Sequence, residues 1–157
     1  MSPLAIPDRP DRLRGLLLQV HTLAERFPLS LLQLAFRISL AAVFWKSGLT
    51  KIASWDITLL LFYNEYPVPL LGPETAALLA TAVELGGAVL IALGLLTRLA
   101  ALPLLGLVFV IQVFVYTENW VEHLGWAAML LFLVTRGGGA LSLDRLLRPL
   151  LLGRGEH

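Results

Sequence analysis

Four stretches of the chain are almost wholly apolar, and polar residues separate them. They cover residues 29–49, 75–95, 99–116 and 120–135. A helix needs roughly 20 residues to cross a hydrocarbon core about 30 Å thick. The first three stretches reach or approach that length, and the fourth is shorter and carries Glu122 and His123 near its start. The pattern therefore predicts four transmembrane helices, the last of which begins near a membrane surface.

The connections predict how these helices are arranged. Thr97 and Arg98 leave almost no loop between the second and third stretches, which indicates an antiparallel hairpin within an up-down-up-down bundle. In that topology only Lys46 and Lys51 lie at one membrane face. The positive-inside rule then places both termini in the cytoplasm, because the opposite face receives Arg9, Arg12, Arg14, Arg26, Arg98, Arg136, Arg145, Arg148 and Arg154.

Amphipathic segments flank the predicted transmembrane domain of residues 29–135. Within residues 1–28, apolar side chains recur at helical spacing from Leu13 to Phe27, with arginines off that stripe. Within residues 136–157, leucines on one face follow three glycines. Each pattern predicts a helix lying on the membrane surface. Residues 55–63 are also apolar but too short to cross, so we expect a short helix in the outer interface.

Composition supports one membrane domain and excludes several functions. The chain has 157 residues, of which 15% are charged, against about 25% in soluble domains, and its mean hydropathy is +0.79. A net charge of +1 from dispersed residues argues against nucleic-acid binding. The chain has no cysteine, so any redox chemistry must come from a bound cofactor or a partner. The histidines are scattered, and we expect no metal site.

Arg37 and Glu84 lie near the middle of the first and second apolar stretches. A lone charge at bilayer depth costs on the order of 3 kcal/mol or more, so such residues face the protein interior and find partners. The sequence therefore predicts a buried ion pair between them. Such a pair either fixes helix register or serves a function, and both interpretations stay open. Small residues on the face of Glu84 indicate close helix packing and suggest a homodimer.

A second polar group is predicted toward the outer face. Its candidate ligand-binding members come from three spans and are Lys46, Gln112, Tyr116, Trp120 and His123. In this group His123 could shuttle protons or hydrogen-bond a quinone carbonyl, with Trp or Tyr rings stacking on the head group. The alternative is an interfacial belt that anchors the helices at the lipid head groups. We assign Lys51 and Trp55 to that belt.

Several short runs together resemble a known family. They are Arg37 with FWKSGLTK at 44–51, VELGG at 83–87, GLLTRLAA at 94–101, HLGW at 123–126 and GGGALSLD at 137–144. In this order they resemble the DoxX family of small four-helix prokaryotic membrane proteins, over about residues 32–147. The resemblance implies an all-α integral protein of the prokaryotic cytoplasmic (inner) membrane, in contact with lipid.

The resemblance also implies a role in redox chemistry. Relatives include a small membrane subunit of a thiosulfate to quinone oxidoreductase and a membrane component associated with enzymes of oxidative and thiol stress. It therefore suggests a docking subunit with an oxidoreductase partner and quinone as the cofactor. A small-solute carrier or channel acting as an oligomer, and a scaffold without ligand, are the alternatives. The family's polar positions fall on Arg37, Lys51, Glu84, Arg98, His123 and Asp144, none with an established catalytic role.

Overall fold

The computed structural model describes residues 9–66, 68 and 70–151, and the regular secondary structure in this part of the chain is all helical. One 3-10 turn, Thr117–Asn119, precedes the sixth of seven α-helices: α1 Arg9–Glu25, α2 Leu29–Ala53, α3 Trp55–Asn64, α4 Pro73–Leu93, α5 Thr97–Phe114, α6 Trp120–Arg136 and α7 Leu143–Leu151. By length and composition α2, α4 and α5 can cross a membrane, whereas α6 has 17 residues. The ends of the two predicted surface segments, 1–8 and 152–157, lie outside the described residues.

Local sequence explains how α4 begins and ends. Pro73 occupies the first turn, where its missing N–H would have no helical partner. At the other end Gly94 adopts a left-handed conformation with φ of 66°, and its N–H donates to the carbonyl of Ile91. A Cβ at Gly94 would lie 2.6 Å from that of Ser142. The hairpin turn therefore consists of residues 94–96. Thr97 and Arg98, which we expected in that turn, instead begin α5.

Four helices pack around one apolar core. α2 contacts α4 and α6, and α5 contacts the same two helices. At the centre lie Leu40, Ile91, Leu104 and Leu130, all fully buried. Alanines on one face of α4, with Ala88 only 2% exposed, let the neighbouring backbone approach closely. This small-residue face, which suggested a homodimer, is thus occupied within the chain. The homodimer stays a prediction, but the small residues of α4 no longer support it.

The remaining helices lie at the ends of this core. α3 packs on α4 and α2, as a short helix in the predicted place, and Phe62 joins Ala76 and Ala77 in a small apolar cluster. Thr58 Oγ1 donates to the carbonyl of Lys51 over 3.1 Å and so fixes the start of α3. In α1 the leucines are exposed, with Leu17 at 70%. The surface position predicted for α1 and α7 stays a prediction.

Two adjacent glycines of α4 provide a test of this packing. A Cβ at the buried Gly87 would lie 2.8 Å from Leu104 Cγ, in the packed core, whereas a Cβ at Gly86 would meet nothing within 4 Å. We expect Gly87→Ala to be less stable than Gly86→Ala by about 1–3 kcal/mol, since overpacking a core costs that much. Thermal unfolding of both variants in one detergent measures this. Equal melting temperatures would contradict the packing of α4 on α5.

Candidate functional site

A cavity of about 970 Å³ lies between α2, α3, α4, α5 and α6. It occupies the end of the core where α2 and α5 finish and where α4 and α6 begin. Most of the lining is apolar, including Val83, Leu107 and Ile111. The polar side chains on its wall come from four of the five helices and from the loops beside them, and are Lys46, Ser47, Thr50, Lys51, Ser54, Thr58, Tyr66, Glu84, Tyr116, Asn119, Glu122 and His123.

One polar cluster on the cavity wall joins α2 to α4. Lys51 Nζ donates to both carboxylate oxygens of Glu84 at 2.8 Å, and the side chains are 20% and 2% exposed. Ser47 Oγ donates to Glu84 Oε1 at 3.1 Å and accepts from Lys51 Nζ at 3.0 Å. Ser47 and Lys51 are one helical turn apart, so both reach the same carboxylate. The buried charge of Glu84 is neutralised by a lysine that also faces the cavity.

The predicted ion pair between Arg37 and Glu84 is wrong. Arg37 is 2% exposed, but its guanidinium donates to four backbone carbonyls. Nε reaches the carbonyl of Ile91 at 2.8 Å and Nη2 that of Ala92 at 2.7 Å. Nη1 reaches those of Gly138 and Leu141 at 3.1 and 2.7 Å. Because the last carbonyls of a helix have no helical partner, the guanidinium closes the end of α4 and ties it to the loop after α6.

His123, on α6, is 4% exposed and lies on the cavity wall. Gln112 Nε2 donates to the carbonyl of Thr117 at 2.9 Å, which turns its Oε1 toward the imidazole. His123 Nδ1 lies 2.6 Å from this Oε1 and therefore carries a proton that it donates. No described residue is hydrogen-bonded to Nε2. The Gln112 amide thus fixes the tautomer and leaves Nε2 for a ligand, as acceptor when neutral and as donor when protonated.

Aromatic side chains complete the wall. The ring of Trp126 lies 5.3 Å from that of His123 and 6.1 Å from that of Phe44. Tyr66, in the segment after α3, is hydrogen-bonded through its hydroxyl to that of Tyr116. Burial, and then this hydrogen bond, raise the pKa of Tyr66 above its usual range, so its hydroxyl stays protonated at neutral pH. The tyrosine pair closes the cavity beside α3 with neutral hydrogen-bonding groups.

The structure places the five candidate residues in three different ways. Lys46, Tyr116 and His123 line the cavity. Gln112 does not line it but orients His123. Trp120 is 59% exposed and lies outside the lining. Among residues 9–66, 68 and 70–151, no group of three or more His, Asp or Glu side chains is placed to hold a metal ion.

Sequence reasoning missed part of the site. Lys51, which we assigned to the interfacial belt, instead binds Glu84, and that assignment is wrong. The spacing of Ser47 and Lys51 could have shown that Lys51 faces the same way as Ser47, because residues four apart share a helix face. Tyr66 carried no such signal, because it lies in an irregular segment between α3 and α4.

Comparison with protein families identifies the chain. The DoxX family matches residues 32–117, more than half of the 157 residues. The chain belongs to the DoxX family. The match includes Arg37, Lys51, Glu84 and Gln112, whereas His123 lies beyond it. No match was found among curated proteins or solved structures. Family membership therefore supports a membrane protein and leaves the ligand to be argued from the cavity.

Proposed function

We propose that this DoxX-family protein is a membrane subunit of a redox system and holds a quinone head group in the cavity between α2 and α6. The observation that carries the proposal is the combination of a largely apolar cavity with the paired Lys51–Glu84 group on one side and His123 on another. Ligand sites are typically apolar with a few placed polar groups. A quinone, with two ring carbonyls and an apolar tail, matches that division.

Different residues of the cavity would contact different parts of the quinone. With its Nδ1 proton held by Gln112, His123 would accept at Nε2 from a hydroxyl of the reduced quinol, and would donate from Nε2 to one quinone carbonyl once the imidazole carries a second proton. Lys46, which lines the cavity and is exposed, would donate to the other. Trp126 offers a flat apolar face beside His123. A bound quinone would supply the electron-accepting chemistry that a chain without cysteine lacks.

The same proposal includes membrane topology and a partner. We propose that α6 is a fourth span: its 17 residues rise about 25 Å, and local thinning of the bilayer can accommodate a short helix. The arginines at the opposite end from the cavity favour both termini in the cytoplasm of a prokaryotic cell. Electrons would come from an oxidoreductase partner protein docked on the subunit.

Tryptophan fluorescence tests the quinone site. We expect a short-chain ubiquinone analogue to quench the purified protein saturably. Trp126→Phe should remove most of this quenching, since Trp126 lines the cavity, whereas Trp120→Phe should retain it. His123→Leu should weaken the apparent affinity about tenfold, as the loss of one good hydrogen bond predicts.

The matched control for His123→Leu is His21→Leu. His21 lies on the exposed helix α1, which contributes no residue to the cavity lining. The His21→Leu variant should leave the apparent quinone affinity unchanged. Quenching that rises linearly with quinone concentration, or that is the same in Trp126→Phe and Trp120→Phe, would overturn the proposal.

A further inference from the structure

A second cavity, of about 960 Å³, lies at the other end of the core from the proposed quinone site. The beginning of α5, the end of α6, the glycine loop of residues 137–139 and α7 form its walls. Four arginines line it, two from the core helices and two from α7: Arg98, Arg136, Arg145 and Arg148. All four are exposed, so their guanidinium groups are available to a ligand.

The one acidic side chain among the lining residues is already engaged. Asp144 accepts hydrogen bonds from the N–H groups of Leu96 at 2.6 Å and of Thr97 at 2.9 Å. It thus caps the start of α5. Four arginines and one aspartate leave three net positive charges on the wall. Within the part of the chain that the structure describes, no carboxylate forms an ion pair with any of these arginines.

A buried hydroxyl on the same wall also lacks a partner. Thr97 is fully buried and lines the cavity, and its Oγ1 has no hydrogen-bond partner among the described residues. A Cβ at Gly138 would lie 2.5 Å from that oxygen, so only glycine lets the loop close over it. An unsatisfied buried hydroxyl costs on the order of 1–3 kcal/mol. Because Gly138 covers this oxygen, it is closed to a ligand, and the cost falls on the fold at this end of the core.

Exposed apolar residues lie beside the charges. Leu96 and Leu99 line the cavity and are 50% and 64% exposed. On α7, between Arg145 and Arg148, Leu146 is 68% exposed. A free phosphate would leave these side chains uncovered, whereas the acyl chains of a phospholipid would cover them. Basic pockets between helices at the membrane face suit anionic head groups of this kind.

From these observations we propose that the arginine cavity binds the phosphate of an anionic phospholipid. Arg98, at the start of α5, and Arg145, on α7, hold the phosphate by charge-assisted hydrogen bonds. The exposed side chains of Leu96, Leu99 and Leu146 contact the acyl chains. The site is independent of the proposed quinone cavity, because the two cavities share no lining residue.

Thermal unfolding of the full chain in a neutral detergent tests the proposal. The probes are dioleoyl-phosphatidylglycerol, dioleoyl-phosphatidylcholine and inorganic phosphate, titrated at constant ionic strength. We expect phosphatidylglycerol to raise the melting temperature saturably and phosphatidylcholine to have a much smaller effect. The double variant Arg98→Gln/Arg145→Gln should bind phosphatidylglycerol roughly tenfold or more weakly. Stabilisation by inorganic phosphate alone, lost in the same variant, would support the site with free phosphate as its source.

Two further variants separate a built site from general charge attraction. Arg12→Gln/Arg14→Gln removes two exposed arginines of α1, outside the cavity, and should leave the affinity unchanged. Thr97→Val should keep or raise the melting temperature without lipid, because it removes an unpaired buried hydroxyl, and should leave the phosphatidylglycerol affinity unchanged. Equal losses in the two arginine pairs, or equal stabilisation by the two lipids, would overturn the proposal.

Discussion

Arg37→Met is expected to destabilise the protein by about 3–5 kcal/mol, because it removes a buried charge on which several polar groups depend. The guanidinium of Arg37, which is 2% exposed, donates to the carbonyls of Ile91, Ala92, Gly138 and Leu141. Methionine fills a similar volume but donates nothing, so these acceptors lose their charged partner together. Each hydrogen bond to a charged group contributes about 1.5–3 kcal/mol.

Thermal unfolding followed by circular dichroism measures this effect. For a chain of this size we expect a melting temperature lower by on the order of 10 °C. Arg26→Met, an exposed arginine just after α1, is the matched control and should change stability by less than about 0.5 kcal/mol. Arg37→Lys should recover only a small part of the loss, because an ammonium cannot reach four separated carbonyls. A melting temperature for Arg37→Met equal to that of Arg26→Met would contradict the role of the guanidinium.

Glu84→Leu is expected to destabilise the protein by about 3 kcal/mol. The substitution leaves Lys51, whose side chain is 20% exposed, without its carboxylate and Ser47 without its acceptor. Breaking a largely buried pair from one side costs this much because the remaining charge is uncompensated. Glu84→Gln should cost less, since its amide oxygen can still accept from Ser47.

A double-mutant cycle separates the pair from the packing around it. Lys51→Met/Glu84→Leu removes both charges and should recover most of the stability lost in Glu84→Leu. The matched control is Lys46→Met, the other lysine of α2, which is exposed and has no carboxylate within ion-pair distance among the described residues. It should leave stability nearly unchanged. If the stability lost in the double variant equalled the sum of the losses in Lys51→Met and in Glu84→Leu, the direct interaction of Lys51 with Glu84 would be contradicted.

The helices could be predicted closely from the chain, and their register could not. Predicted spans at 29–49 and 75–95 correspond to α2 Leu29–Ala53 and α4 Pro73–Leu93. These bounds differ by at most four residues, so the wrong partner for Arg37 came from the offset between the two packed helices. The antiparallel contact of α2 with α4 sets Arg37 opposite Ile91, seven residues beyond Glu84 along α4. A shift of seven residues is about 10 Å along a helix.

Some residues of the candidate site could likewise be proposed from the sequence, and others could not. Lys46, Tyr116 and His123 could be proposed from the sequence because they lie at the ends of three spans that an up-down-up-down bundle brings together. Lys51 was recognisable as polar but not as the partner of Glu84, and Trp120 lies outside the cavity although its sequence position is similar. The hydropathy pattern locates the spans and so indicates how deep a residue lies. A binding site also depends on which helix face each residue occupies and on which residue lies opposite.

The sequence by itself determined the helical segments, the membrane character and the DoxX resemblance, because these depend on local composition, spacing and short ordered motifs. Only the tertiary structure decided that Arg37 closes the end of α4, that Lys51 neutralises Glu84, and that Gln112 orients His123. Each of these contacts joins residues from different helices. Which residues become partners depends on how the packed helices are rotated and offset along their axes. The side-chain volumes of the whole core set that rotation and offset, so no single segment encodes them.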